Sequence, residues 1–400
     1  MLKAEAVLSP KERFERTLLG QRTGPVPVAV HWWGTYKYEV SGLDYRRAAW
    51  NSGRNLAPIY ESFYLRFRPD WFHLHIGTPR FFEECEIVER DNEHYLHIPR
   101  HRISEKSEDN YLFCYSDSEF EKIIDFADYL LESRANRPKV DLSSIRRVEE
   151  YVKKYISMPA DKIIGLGYCD HLAEIAKKYG QEVFIAVHIP SAICEIFDPT
   201  TGYLGFEKGL LAFYDHPFEM RRLLELCYEE QLEWAKAHVR CGAHAFIISE
   251  SFISPDIANP DIYRKFMADI HRDYFGEIKK MGLYPMCHFW GDVIPLLEDL
   301  CRINISALLT EESKKSFKLD IREISEKFDP SICLFGNLDS YNVLCKGSAS
   351  DIKQEIDYQL SSTLGRPFVV ANGSPIYPGT PPENVHLMIQ YARERSSHDL

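Results

Sequence analysis

Histidines and carboxylates stand at the ends of several apolar runs in this sequence, and these residue types bind metals and transfer protons. The run "HAFIISE" (244–250) ends on Glu250, and "YPMCHF" (284–289) contains His288, with Asp292 shortly after it. Carboxylate and imidazole are zinc-type ligands, and two of them with a third ligand and a water make a catalytic site. We therefore predict Glu250, His288 and Asp292 as catalytic residues. A simple hydrogen bond between Glu250 and His288 accounts for the same pattern.

Polar and aromatic residues also close the other apolar runs. A single histidine at such a position is more often structural than functional, so the prediction depends on several of them converging on one cavity. Aromatic rings suit the walls of a site for a flat or apolar ligand, and they equally suit the covering of a core. The predicted substrate-binding residues are His31, Trp32, Trp33, His73, His75, His188, Trp290, Asn337, Asn372, Ser374 and Tyr377.

About eight apolar runs must position these residues, and helix-like segments separate most of them. The runs are 25–32, 70–76, 183–189, 244–250, 284–289, 305–310, 331–339 and 367–373. Near-continuous apolar runs are typical of parallel strands that are buried on both faces. Strands and helices that alternate this often predict an α/β fold, the (β/α)8 TIM barrel, whose active sites lie at the C-terminal ends of the strands.

The second and third runs are too far apart for a single crossover. Residues 78–160 are therefore predicted to leave the barrel and to form an inserted cap or rim. The segments "FFEECEIVERDNEHYLHIP" and "NYLFCYSDSEF" predict short antiparallel strands, and "VDLSSIRRVEEYVKKY" (140–155) predicts a helix. We do not expect this insertion to be an independent domain, so residues 1–400 are predicted to form one domain.

The composition excludes several classes of partner. A net charge of −12 makes a nucleic-acid backbone a poor ligand, because binding it requires clustered Lys and Arg. No stretch approaches the roughly 18 apolar residues that span a bilayer. The first residues do not resemble a signal peptide, and the ten cysteines contain no C-x-x-C pair. We therefore expect a cytoplasmic protein with free thiols that acts on a small molecule.

Five segments together resemble the uroporphyrinogen decarboxylase superfamily, which includes cobalamin (corrinoid)-dependent methyltransferases with the same barrel. The segments are "KERFERTLLGQRTGPVPV", "HIPSAICEIFDPTTGYLGF", "YPMCHFWGDVIPLLEDL", "LFGNLDS" and "GSPIYPGTPPENV". The resemblance runs from about residue 9 to 395, and the last segment is its most specific part. It implies the (β/α)8 fold independently of the run pattern.

The resemblance favours the methyltransferase branch of the superfamily. The decarboxylases carry an arginine-rich loop after the first strand. At that place this chain reads "HWWGTYKYEVSG" (31–42), and the first arginine that follows the strand is Arg46. The methyltransferases bind zinc through an H-x-C motif and a later cysteine. His288 matches that motif, but Trp290 stands at the first cysteine position and the later cysteine falls near Ser374.

A metal site of this kind would have to use nitrogen and oxygen ligands. Members of the superfamily that act on methyl ethers can do so, which implies zinc held by His288, Glu250 and Glu311 and acting as a Lewis acid on the ether oxygen. The methyl group would then pass to the cobalt of a corrinoid supplied by a partner protein.

These considerations predict a corrinoid-dependent methyltransferase that demethylates a methoxylated, possibly aromatic, small molecule (O-demethylation). One alternative is a decarboxylase or other lyase acting on a non-classical carboxylate. That enzyme needs a cationic anchor, for which the candidates are Arg46, Arg47, Arg54, Arg66 and Arg80. The other alternative is a catalytically silent, corrinoid-associated barrel, which would bind no metal. A homodimer remains open.

Overall fold

The computed structural model describes residues 8–21, 24–32, 36–42, 53–80, 86–90, 93–97, 111–116, 138–199 and 202–397. Eight of its strands form one parallel sheet, and three form a separate antiparallel sheet. The parallel strands are β1 (Val28–Ala29), β2 (Trp71–His75), β6 (Phe184–Pro190), β7 (Ala245–Glu250), β8 (Tyr284–Phe289), β9 (Ala307–Thr310), β10 (Cys333–Phe335) and β11 (Phe368–Ala371). The antiparallel strands are β3 (Glu86–Arg90), β4 (Glu93–His97) and β5 (Tyr111–Ser116).

The parallel sheet curls into a nearly closed barrel. Its strand order is β1, β11, β10, β9, β8, β7, β6, β2, so β1 and β2 stand at its two edges. The Asp70 N–H donates to the Val28 carbonyl at 2.9 Å, and the Val28 N–H donates to the Asp70 carboxylate at 2.8 Å. These bonds join the two edges. The predicted (β/α)8 barrel is confirmed, and β3, β4 and β5 confirm antiparallel strands within 78–160.

Helices connect the strands. They are Pro10–Leu18, Tyr36–Ser41, Gly53–Phe67, Ile145–Tyr155, Ala160–Leu166, Asp170–Tyr179, Ala192–Phe197, Phe206–Asp215, Pro217–Arg240, Pro260–Phe266, Ala268–Lys280, Leu297–Leu300, Ile321–Lys327, Ala349–Ser362 and Pro382–Ser397. The described residues also contain a 3₁₀ turn at Ile294–Leu296 and a π-helical turn at Ser340–Cys345. Among the described residues, no helix combines the length and the apolar character needed to cross a membrane.

The helix Pro10–Leu18 closes the N-terminal end of the barrel. It begins with a capping box in which Ser9 and Glu12 bond each other's backbone N–H. Its Phe14 is fully buried, and its ring centroid lies 4.4 Å from that of Phe184 and 5.8 Å from that of Trp71. Because this end is plugged by aromatic side chains, chemistry is expected at the opposite, C-terminal mouth.

The strand pleat decides which side chains face the barrel interior. On β7, Ala245 and Ile247 belong to the inner apolar cluster, and Phe246 and Ile248 belong to the outer core against the helices. Because side chains alternate along a strand, Ser249 continues the inner row and Glu250 continues the outer row.

Candidate active site

Five histidines gather inside the barrel at the C-terminal ends of its strands. His31 follows β1, His73 and His75 lie on β2, His188 lies on β6 and His288 lies on β8. Four of them are buried, and His75 is partly exposed. Neighbouring ring centroids lie between 4.9 Å (His75 to His188) and 5.6 Å (His188 to His288) apart. The structure therefore brings these five predicted site residues together at one mouth.

A chain of hydrogen bonds links three of the imidazoles to a serine and a tryptophan. His31 Nδ1 lies 3.3 Å from His73 Nδ1, and His73 Nε2 lies 2.9 Å from His188 Nδ1. The other nitrogen of His188, Nε2, is hydrogen-bonded to Ser249 Oγ, which also accepts a bond from Trp290 Nε1 at 3.2 Å. Both nitrogens of His73 and of His188 are therefore held in fixed directions.

Burial keeps these imidazoles in their neutral form. It lowers the pKa of His31, His73 and His188 well below the usual value, and neighbouring imidazoles lower each pKa further. The pKa of His75 is also lowered well below the usual value, first by burial and then by the Lys37 ammonium group. A neutral imidazole has one nitrogen lone pair, which is the form that binds a metal or accepts a proton.

His288 differs from the other four in its surroundings. It is fully buried, yet neither of its ring nitrogens has a hydrogen-bond partner of ordinary geometry. Burial lowers its pKa to about 4, although the nearby Gly373 backbone opposes that shift. Its ring lies between those of His31 (5.1 Å) and Trp290 (4.8 Å). A buried ring with unsatisfied nitrogens beside an aromatic wall is suited to contact a ligand.

Three of the histidines are close enough to share a metal ion. A metal ion usually needs at least three histidine, cysteine or acidic side chains with their ligand atoms close together. Among the described residues, one such group has ligand atoms that all lie within 4.8 Å of one another, and it consists of His73, His75 and His188. The predicted ligand set of His288, Glu250 and Glu311 does not meet this condition.

The prediction that Glu250 and His288 share a metal is wrong because they face opposite sides of the barrel wall. The register pairs Ser249 with His288 and Glu250 with Phe289, so Glu250 lies one position out of phase. Its buried carboxylate accepts hydrogen bonds from Tyr228 Oη (2.6 Å) and Ser191 Oγ (3.1 Å), outside the barrel. His271 Nε2 lies 3.0 Å from the same carboxylate.

The other two predicted carboxylates fix loops and pair with neighbours. Glu311 accepts a hydrogen bond from the Gly291 N–H at 3.1 Å and lies 3.0 Å from the Lys314 ammonium. Asp292 accepts from the N–H of Ile294, the first residue of the 3₁₀ turn, at 3.1 Å. Burial raises the pKa of Asp292. A catalytic role for Asp292 stays a prediction.

Among the predicted aromatic residues, Trp290 lies at the mouth and Trp32 does not. Trp32 is fully buried on the outer side of the barrel, where its ring centroid lies 3.8 Å from that of Phe63. It follows the inward-facing His31 by one position, so the pleat turns it toward the helix Gly53–Phe67. The predicted contact of Trp32 with substrate is therefore corrected. Trp33 lies outside the described residues.

The remaining predicted residues mostly hold the backbone of the mouth. Asn372 accepts from the His31 N–H at 2.8 Å and donates to the Ser374 carbonyl at 2.6 Å, which ties the end of β1 to the loop after β11. Asn337 donates from Nδ2 to backbone carbonyls. Tyr377 is 38% exposed, and its ring centroid lies 5.0 Å from that of Tyr341, with the two rings tilted by 54°. Substrate contacts of these residues stay predictions.

Two lysines near the mouth, the buried Lys37 and the partly exposed Lys314, were not anticipated from the sequence. Lys37 is 3% exposed and lies over the rings of Tyr38 and Tyr60. Lys314 Nζ lies 2.6 Å from Glu312 and 3.1 Å from Ser374 Oγ. The available signal was a lone lysine within the aromatic segment "WWGTYKY" and another lysine two residues after a pair of glutamates.

Comparison with known proteins identifies the family. The family model for uroporphyrinogen decarboxylase (URO-D) matches residues 131–395. The chain belongs to the uroporphyrinogen decarboxylase family. This confirms the resemblance inferred from the five sequence segments. The curated relatives include methyltransferases and uroporphyrinogen decarboxylases.

One curated relative is the methylcobamide:CoM methyltransferase MtaA of Methanosarcina barkeri, 26% identical over 166 residues, which are 42% of this chain and 46% of MtaA. Another is the uroporphyrinogen decarboxylase of Prochlorococcus marinus (strain MIT 9515), 24% identical over 188 residues, which are 45% of this chain and 50% of that enzyme. The chain spans about half the length of the curated relatives it matches. Proteins with both kinds of name are therefore similar to this chain.

A solved structure extends the similarity to the whole fold. The structure of a methyltransferase from Methanosarcina mazei superposes with a TM-score of 0.69 at 19% sequence identity, covering 97% of this chain and 99% of that one. At this identity the likeness supports the barrel and its connections.

Proposed function

We propose that this family member is a corrinoid-dependent methyltransferase that demethylates a methoxylated small molecule, and that its substrates include aromatic methyl ethers. The observation that carries the proposal is the cluster of five imidazoles at the barrel mouth beside Trp290. The similarity to a methylcobamide:CoM methyltransferase supports the reaction class. The acceptor is the cobalt of a corrinoid on a partner protein. A cytoplasmic location and a homodimer are part of the same proposal.

The reaction breaks the bond between the methyl carbon and the ether oxygen. The methyl group moves to cobalt(I), which supplies both electrons of the new carbon–cobalt bond. The oxygen keeps the electron pair of the broken bond and finally takes up a proton. Negative charge therefore develops on that oxygen, and hydrogen-bond donors in a buried site stabilise such charge effectively.

The residues of this chain have distinct parts in that scheme. The Trp290 ring forms a flat wall for a methoxyarene, and its Nε1–H is already engaged with Ser249. A neutral His288 has one N–H without a partner, which would donate to the ether oxygen as charge develops. Zinc bound at the imidazoles would supply Lewis-acid stabilisation of the same oxygen.

The test uses the purified full chain with reduced free cobalamin and a panel of methoxybenzenes, methoxybenzoates and aliphatic methyl ethers. Formation of methylcobalamin is followed by absorbance. We expect turnover with at least one donor, a large loss of kcat in His288→Ala, and wild-type rates in the control His386→Asn, which lies on the last helix. Folded protein that methylates cobalamin from none of these donors would contradict the proposal.

The decarboxylase alternative receives less support because its anchor is not assembled by the described residues. Arg66 donates to the Val40 carbonyl at 3.1 Å, and Arg80 forms a two-point ion pair with Asp170 at 2.6 Å. Arg46 and Arg47 lie outside the described residues, as does the side chain of Arg54. The silent-barrel alternative predicts that no metal binds and that Glu250→Ala and His288→Ala change nothing except stability.

A further inference from the structure

We propose that His73, His75 and His188 form a three-imidazole site for a transition metal, with zinc as the leading candidate. One ligand nitrogen from each residue lies within 4.8 Å of the others. This set replaces the predicted set of His288, Glu250 and Glu311, and it uses strands on a different part of the barrel wall.

The strand register explains why these three side chains meet. β2 and β6 are parallel neighbours, and their ladder pairs His75 directly with His188. His73 precedes His75 by two residues, so both point to the interior. The same ladder places Ala186 opposite His73, and the small side chain leaves room for the His73 ring to lean toward His188. Rigid parallel strands thus fix all three imidazoles.

The hydrogen bonds of His73 and His188 match those of metal-binding histidines. Such histidines normally bind the metal with one ring nitrogen and hold the other in a hydrogen bond. His73 directs Nδ1 to His31, and His188 directs Nε2 to Ser249. This leaves His73 Nε2 and His188 Nδ1 facing each other at 2.9 Å, close to the roughly 3.3 Å between two ligands of a tetrahedral zinc.

The donor set also restricts the kind of metal. Three imidazoles suit zinc, copper, iron and nickel, whereas magnesium and calcium require oxygen ligands. Three protein ligands leave one position of a tetrahedral zinc open, as in catalytic sites. His288 is an independent sign of a ligand at this place, because it is fully buried with both ring nitrogens unpartnered and lies 5.6 Å from the His188 ring.

The catalytic use of this site rests on the proposed methyl transfer, but metal binding itself does not. The two are therefore measured separately on the same preparations. Full-length protein stripped with a chelator is titrated with Zn²⁺ by calorimetry and with Co²⁺ by visible absorbance. Wild type should bind one equivalent, and the cobalt spectrum should show tetrahedral d–d bands without the near-ultraviolet band of a thiolate ligand.

Variants identify the ligands. His73→Asn and His188→Asn should each weaken binding by about 100-fold or more, because loss of a direct ligand exceeds the 10–100-fold effect of outer partners. His386→Asn should bind like wild type, and circular dichroism checks that each variant is folded. A folded His188→Asn that binds with wild-type affinity would overturn the site, as would a wild type that takes up neither metal. If His288→Ala abolishes binding while His188→Asn does not, the ligand set proposed here is wrong.

The methyl-transfer assay separates the two hypotheses. Stoichiometric metal binding without methyl transfer from any donor overturns the proposed function and leaves the metal site standing. Full methyl transfer by metal-free protein overturns the catalytic use of the site and leaves the proposed function standing.

Discussion

Replacing Glu250 should destabilise the protein without disturbing its metal or substrate chemistry. The Glu250 carboxylate is 1% exposed and lies 2.6 Å from Tyr228 Oη, 3.1 Å from Ser191 Oγ and 3.0 Å from His271 Nε2. In Glu250→Ala these buried donors lose their acceptor, and each orphaned group costs about 1–3 kcal/mol. Tyr228 and His271 still bond each other at 2.8 Å, which recovers part of that loss.

We therefore expect the free energy of unfolding to fall by about 3–5 kcal/mol in Glu250→Ala. Glu250→Gln keeps the shape and one acceptor oxygen, so its loss should be smaller, about 1–2 kcal/mol. Urea unfolding followed by circular dichroism measures both values, and Glu277→Ala, which removes an exposed pair with Lys280, is the matched control with no measurable change.

Metal content must be measured on the same samples. The outward position of Glu250 predicts wild-type zinc affinity for every folded variant at this position. A Glu250→Ala protein with wild-type stability and no bound metal would refute the assignment of this carboxylate to the outer network.

Three further predictions address the plug, the pH dependence and the aromatic wall. Phe14→Ala should lower the free energy of unfolding by about 3–5 kcal/mol in urea titrations, because it empties the aromatic stack at the closed end; a loss under about 1 kcal/mol would contradict that packing. Burial lowers the pKa of His238 to about 4 from 6.5, so the unfolded chain binds the proton first. This difference in pKa contributes about 3 kcal/mol to the free energy of unfolding, which is fully present above pH 6.5 and is lost as the pH falls toward 4. In His238→Leu, the free energy of unfolding should therefore change less between pH 7 and pH 4 than in the wild type. An unchanged pH dependence would refute this prediction. Trp290→Phe removes the hydrogen bond to Ser249 but keeps a flat wall, so KM for methoxyarenes should rise severalfold with little change in kcat; an unchanged KM would exclude Trp290 from the substrate wall.

The barrel was predictable because its signals are local and repeated. Apolar runs, proline at helix starts and glycine at helix ends recur along the chain, and each depends on near neighbours in sequence. Pro217 at the first position of its helix and Gly242 beyond its end, with φ of +102°, are examples of such signals. The helix Ile145–Tyr155, capped by Ser144, was predictable for the same reason.

Side-chain direction at the strand ends was not predictable. His288 and Glu250 both close apolar runs, but a shift of one residue turns a side chain to the other face of the sheet. The register that pairs Glu250 with Phe289 depends on contacts between strands that are distant in sequence. The predicted substrate contact of Trp32 was wrong for the same reason, because Trp32 follows the inward-facing His31 by one position and therefore packs in the outer core.

Strand length also depended on features beyond the apolar pattern. The run 25–32 predicts a long first strand, but β1 pairs only over Val28–Ala29. Pro25 and Pro27 precede that pair, and proline has no N–H to donate to a ladder. The histidine group on β2 and β6 could have been suggested by the H-x-H spacing of residues 73 and 75. Its third member required the knowledge that β6, more than a hundred residues later, lies beside β2.

The metal site proposed for the barrel mouth consists of imidazoles from neighbouring strands. X-ray absorption at the zinc edge of zinc-loaded protein tests it most directly. We expect a first shell of nitrogen or oxygen atoms only, at about 2.0–2.1 Å, with the outer-shell scattering of about three imidazoles. A sulfur scatterer at about 2.3 Å, or a shell without imidazole scattering, would contradict it.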